Sequence, residues 1–507
     1  MSIIDKNKSE EKIMKIKVGL IGTSQLSFPG PKEKAYADNV ALMKANAQEM
    51  GFDLCVWEKQ VIVEADARKA VAKMEEEKVD LLLVLNVSYS AGFLTPILYR
   101  IKNAAVGIWS IPEPQKGPVM FNSFCSNNMY QGINDKYLKD YKIKSKWFYG
   151  YADDPRFKKR LSVTVKALQA IKKLKNSRVA LIGGFAPGFY DLYFDERSVY
   201  SKLDGIYINR LHEYDEVIKR AEKITDNDMK AQMAELDKIA NADMSQYSDE
   251  LKKVGLKMAD NSFALRPFSV KMYLAYKQLV DEYGYDAIAI SCWPKFQDDY
   301  KYSVCSTIGM LNDDKIVAAC EGDLMSAISM LALQEMSDES TTLMDFSAFD
   351  EEDDSILLWH CGPSSKKFCQ KNGYKISHNF SGMAHEDGKV NGTGIVRDME
   401  FDPGKASVFR FSGDMESYIN VTGDFIGNTK VSNCGSRGWF KNLKLNGKPI
   451  GALDFTNTIL AGGFEHHYPV AWGDLGDEIA EMNKWLGIKP VKKIAYENYL
   501  QDADDME

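Results

Sequence analysis

Two histidines, His466 and His467, stand side by side in GGFEHHYPVAWGD (462–474), behind a Gly-Gly pair and ahead of an apolar run. The chain has 507 residues and six histidines in all. A histidine pair gains meaning only if other metal-type ligands lie where a fold can bring them together. Three stretches supply such residues. VAACEGDLMSAISMLALQ offers Glu321 and Asp323, where an apolar strand gives way to a helix. TTLMDFSAF offers Asp345, and SILLWHCGP offers His360 after an apolar strand. Two carboxylates with one or two imidazoles, and no cysteine, suit an octahedral Mn²⁺ or a similar divalent cation better than structural zinc. Each residue also has an ordinary structural explanation. Glu321 can be an early-helix acid favoured by the helix dipole, Asp345 a turn cap, and His360 a hydrogen-bonded core histidine. At least one of the paired histidines can be structural.

The elements that must position these residues can be read from periodicity. IKVGLIGTSQLSFPG (from Ile16), SRVALIGGFAPGFYD (from Ser177) and YDAIAISCWPKFQ (from Tyr285) are short β-rich apolar runs that end in small or polar residues. Runs apolar on both faces suit a parallel sheet covered by helices. NVALMKANAQEMG, DEVIKRAEKI and VKMYLAYKQLVDEYG carry apolar residues at helical spacing between them. Neither Gly-bearing loop matches G-x-G-x-x-G, so a dinucleotide site is disfavoured. The loops still mark the carboxyl edge of a sheet, where α/β folds place ligands. After about residue 350, short alternating segments with Gly and Asn turns predict antiparallel β, a barrel or sandwich. The expected architecture is two Rossmann-like or flavodoxin-like α/β domains, 1–172 and 173–348, followed by a β-rich, barrel-like domain, 349–507.

Composition narrows the class. Hydrophobic residues make up 45% and charged residues 27%, as in soluble globular proteins. The net charge of −8 argues against a nucleic-acid binder. No apolar run approaches the ~20 residues of a membrane helix, so no membrane partner is expected. The N-terminal MSIIDKNKSEEK is too polar for a signal peptide. Eight scattered cysteines form no C-x-x-C pair, which suggests neither a zinc ribbon nor a disulfide framework. A reduced, cytoplasmic protein is the expectation.

A resemblance adds what spacing cannot. CEGDLMSAISMLALQ resembles the E-G-D-x-x-x-A segment of the L-arabinose isomerase and L-fucose isomerase superfamily. In that family a second metal-binding acid follows after about two dozen residues; Asp345 lies 24 residues after Glu321. The strand ending in histidine is matched by LLWHCG, and GGFEHHYPVAWGD is similar to the family's late G-G-x-x-H-H segment, whose second histidine is the ligand. The resemblance therefore implies metal ligation by Glu321, Asp345, His360 and His467, with His466 lining the pocket. GTSQLSFPG is similar to the arabinose branch's G-S-Q stretch, whose Gln reaches the sugar of a neighbouring subunit; Gln25 matches it. The second acid is Asp, as in the fucose branch, while His360 follows the arabinose branch.

What the family implies is aldose–ketose isomerisation of a monosaccharide through a cis-enediol, in a homotrimer or homohexamer with shared sites. A divalent ion would act as a Lewis acid toward two neighbouring oxygens. Glu321 and Asp345 would move the proton between carbons as general base and acid. SCWPKFQ offers Trp293 and Gln297 for the sugar's face and hydroxyls, and NCGSRGWF offers Arg437 and Trp439. The tryptophans can equally be core residues and Arg437 an ion-pair arginine. If Arg437 faces the pocket, it suits an anionic sugar such as sulfoquinovose beside L-fucose or L-arabinose. Two rivals stand: a glycoside hydrolase using the carboxylate pair, which would need no histidines, and a non-catalytic sugar-binding protein.

Overall fold

The computed structural model describes residues 15–243, 265–300, 302–379, 394–427 and 433–497, with isolated pieces at 249, 252–253, 257–258, 389–390 and 430. The N-terminal stretch read as too polar for a signal peptide lies outside them. The described residues group into two compact units that part between Lys172 and Lys173.

The first unit is built on five parallel strands: Lys17–Thr23, Asp53–Val61, Leu81–Asn86, Ala105–Ser110 and Ser145–Tyr149. Their order is second, first, third, fourth, fifth, the flavodoxin-like arrangement. Leu81–Asn86 is buried along its whole length, which is why its sequence reads as a continuous apolar run. The helix at Lys32–Met50 ends on Gly51, whose φ of 74° supplies the left-handed cap. Gln25 lies in the turn after the first strand. Its N–H bonds Ser88 Oγ at 3.1 Å, and its carbonyl accepts from Lys32 Nζ at 3.0 Å.

The second unit begins with four parallel strands in the order Val317–Ala319, Ala287–Ile290, Arg178–Ile182, Tyr207–His212. All three apolar runs singled out above are thus strands of parallel sheets. Beyond them six strands close into an antiparallel barrel. Thr342–Asp350 pairs Ser355–His360, which pairs Ser436–Leu445; this pairs Ser417–Phe425, then Gly404–Phe411, then His467–Trp472, which returns to Thr342–Asp350. Met344, Ile356, Leu358, Val408, Val421, Phe440 and Val470 fill its interior. The sequence reading divides this half at 348/349. The barrel strand Thr342–Asp350 spans that point.

The helix Leu324–Ser337 joins the two layers. Its LMSAISMLALQEMS is buried on nearly every side, as expected of a helix packed on two faces. It lies against the parallel sheet and against the barrel strands Gly404–Phe411 and His467–Trp472.

Candidate active site

The E-G-D stretch turns sharply between the Val317–Ala319 strand and this helix. Glu321 has φ of 60° and Gly322 φ of 73°. A left-handed non-glycine residue costs about 1–2 kcal/mol, so the surrounding packing must impose it. Gly322 cannot be replaced without a shift: a Cβ there would stand 2.6 Å from the Gly184 carbonyl oxygen. Asp323 then caps the helix, accepting from the Ser326 N–H at 2.9 Å and its hydroxyl at 2.7 Å.

Strand register brings in the remaining groups. Asp345 is directly opposite His467 on one side and Trp359 on the other, and Trp359 is opposite Arg437. Opposed residues share a face, so His467, Asp345, Trp359 and Arg437 form a transverse row. His360, next in its strand, stacks its ring 5.5 Å from that of His467.

His467 is the centre. It is fully buried, with Nε2 3.0 Å from Glu321 Oε2 and 3.4 Å from Asp345 Oδ1. These are close approaches without hydrogen-bond alignment: among the described residues, His467 Nε2, Asp345 Oδ1 and His360 Nε2 are buried with no hydrogen-bond partner. Glu321, His466 and His467 can place three ligand atoms within 4.8 Å of one another, as can Asp345, His360 and His467. Orphaned buried polar atoms of these types fit a divalent cation.

Behind His467, Nδ1 faces Asp323 Oδ2 at 3.0 Å. Asp323 is in turn paired with Arg410 Nη1 at 2.5 Å, both fully buried. Glu465 Oε2 lies 3.3 Å from Arg410 Nε. Burial works against charge on Asp323, but Arg410 and His467 outweigh it and hold the carboxyl well below its usual range. Glu321 is likewise held low: burial opposes its charge, and His466 and His467 overcome that. Burial also works against a charged His467, yet Asp323, Glu321 and Asp345 push it up to about 10 in the metal-free chain.

His466 plays a different part. It is half-buried, with Nδ1 2.6 Å from Asp191 Oδ2 and Nε2 3.9 Å from Glu321 Oε2. Its ring lies 5.5 Å from Phe189, which lies 5.9 Å from Trp293. An aromatic wall thus runs from Trp293 to the cluster. His360 Nδ1 accepts the Cys361 N–H at 2.8 Å. A neutral ring accepting there carries its proton on Nε2, so ligation through Nε2 requires that contact to be given up.

The other expected residues lie elsewhere. Gln297 is buried in the helix Lys295–Tyr300, and its Oε1 has no hydrogen-bond partner among the described residues; no described contact joins it to the cluster. Arg437 Nη1 binds Asp398 and the Gly435 carbonyl, and Nε lies 3.8 Å from Glu400. Trp439, two residues further along the strand, carries Lys430 Nζ 3.8 Å over its ring. Gln25 belongs to the first unit.

Asp191 and Arg410 were not among the candidates. Asp191 lies in the Gly-bearing loop after the Arg178–Ile182 strand, where ligand contacts were expected without a residue being named. Arg410 interrupts the apolar strand ASVFRF, a signal that something must neutralise it.

No family model matches the chain. It is 23% identical over 421 residues to a sulfoquinovose isomerase of Priestia aryabhattai, covering 81% of this chain and 85% of that protein. A sulfoquinovose isomerase of Alkalicoccus urumqiensis is 22% identical over 76% of this chain and 80% of its own. One of Clostridium sp. (strain MSTE9) is 23% identical over 81% and 85%. A solute-binding protein from Agrobacterium vitis, solved with α-D-tagatopyranose, covers 64% of this chain at a TM-score of 0.17 and 12% identity, too slight a likeness to bear on fold or function. Among the described residues no helix is long and apolar enough to cross a membrane. The isomerase likenesses run over most of the chain, and they support an enzyme of the isomerase class.

Proposed function

We propose that the protein is a metal-dependent aldose–ketose isomerase acting on a monosaccharide, with sulfoquinovose the first substrate to test. The observation that carries this is the convergence of Glu321 and Asp345 on one imidazole nitrogen of His467, whose other nitrogen is held by Asp323. A carboxylate that fixes the far nitrogen of a ligating histidine sets its tautomer and raises its basicity. Glu321, Asp345 and His467 hold the cation, most naturally Mn²⁺, with His360 alongside. When bound, it supplies Lewis-acid polarisation of two neighbouring sugar oxygens. Glu321 and Asp345 carry the proton between adjacent carbons, one as base and the other as acid. His466, steadied by Asp191, lines the pocket with Phe189 and Trp293, surfaces suited to a sugar's apolar face.

Sulfoquinovose is supported by the names of the relatives. Gln25, from another copy of the chain, completes the pocket. The test is ketose formation across a panel of aldoses, sulfonated and neutral, with Mn²⁺ supplied. Activity on none of them, by protein with metal bound, rejects the reading. Comparable turnover of neutral and sulfonated sugars rejects the substrate.

A further inference from the structure

The eight cysteines are scattered in sequence, yet the fold gathers several beside the histidine cluster. Cys292 lies just beyond the Ala287–Ile290 strand, and Cys320 directly after Val317–Ala319. The two strands are parallel neighbours, with Ala319 opposite Ala289, so both thiols emerge at one carboxyl edge. Their sulfurs are 3.3 Å apart and both residues are buried. Cys305 lies in contact with Cys320, and its sulfur is 3.1 Å from Ser303 Oγ. One residue past Cys320, the Glu321 carboxylate turns in: ligand atoms of Cys292, Cys320 and Glu321 lie within 4.8 Å of one another.

We propose that Cys292, Cys320 and Glu321 form a second cation site, selective for a thiophilic divalent ion such as zinc, whose occupation withdraws Glu321 from the histidine cluster. The donor sets differ in kind. Carboxylate and imidazole suit Mn²⁺, whereas two thiolates with one carboxylate select zinc. Zn–S bonds of about 2.3 Å put two thiolates of a tetrahedral site about 3.8 Å apart, so the sulfurs need to open by only about 0.5 Å. Glu321 is partly exposed and belongs to both sets, so the sites compete for one carboxylate. Zinc bound there takes a carboxylate that the histidine cluster also uses.

The test uses the full chain, reduced and freed of metal, and reads no turnover, so it stands or falls apart from the isomerase reading. Cadmium alone, added stepwise, should give thiolate-to-metal ultraviolet absorbance that saturates at one equivalent. The signal should persist in His467→Asn and vanish in both Cys292→Ala and Cys320→Ala. X-ray absorption of the zinc-loaded wild type needs no variant and should show two sulfur neighbours at about 2.3 Å. A zinc shell of nitrogen and oxygen only overturns the proposal, as does a cadmium signal that survives in both cysteine variants. A thiol count showing Cys292 and Cys320 joined as a disulfide in the purified protein overturns it as well.

Discussion

Asp323 holds His467 from behind: Oδ2 lies 3.0 Å from Nδ1, on the side away from Glu321 and Asp345. Asp323 cannot relax into solvent, because it is fully buried and paired with an equally buried Arg410. Asp323→Asn keeps the size of the side chain and removes its charge. Outer partners of a metal-ligating histidine are worth ~10–100-fold in affinity, so Mn²⁺ affinity should fall by that factor in a calorimetric titration. Stability should fall too, by about 3–5 kcal/mol in denaturant unfolding, because Arg410 loses its closest anion. Unchanged Mn²⁺ affinity would remove Asp323 from the positioning role.

The proton on His467 gives a pH dependence of definite sign. Its pKa in the folded metal-free chain is about 10, above the ordinary value of 6.5. The proton therefore stabilises the metal-free fold in full below about 6.5, and this gain is lost as pH rises toward about 10. Chelator-treated wild type should lose melting temperature across that window relative to His467→Gln. Metal binding displaces the same proton, so Mn²⁺ affinity should rise with pH, by up to about tenfold per unit. An affinity independent of pH between 6.5 and 9 would contradict the assignment of His467.

Proton transfer makes a separate demand on the carboxylates. Glu321→Gln and Asp345→Asn should each lower turnover by at least ~10²–10⁴-fold, the usual worth of general acid–base help. Steady-state kinetics at saturating Mn²⁺ reads this directly. His466→Asn should be milder than His467→Asn, because His466 is tied to Asp191 and stands 3.9 Å from Glu321 rather than 3.0 Å. The reverse order would exchange the two histidines' roles.

Three parallel strands were legible because they are buried on both faces. KVGLIGT, RVALI and AIAI read as apolar runs for that reason. The E-G-D segment was legible as a strand-to-helix turn because Asp323 caps the helix and glycine permits the turn. The closure of the barrel was not, since the pairing of Ser417–Phe425 with Ser436–Leu445 is a long-range register that local alternation does not encode. Arg410 lies 87 residues from the Asp323 it neutralises, and Asp191 lies 275 residues from His466. Such pairings arise from tertiary packing alone. Arg437 and Trp439 were chosen by residue type, and type does not reveal that Asp398, Glu400 and Lys430 lie against them.

Gln25 provides a test of subunit sharing. Gln25→Ala and Glu321→Gln should each be inactive, and mixing them under conditions of subunit exchange should restore part of the activity. Exchange verified by mass spectrometry with no recovery would contradict a pocket shared between copies.

The ion content of the purified protein, measured together with turnover, tests the central claim most directly. Chelation should abolish ketose formation, and Mn²⁺ should restore it at one ion per wild-type chain. His467→Asn should retain far less Mn²⁺ under the same dialysis. Full turnover by thoroughly metal-free protein, or undiminished Mn²⁺ in His467→Asn, would contradict a cation held by Glu321, Asp345 and His467.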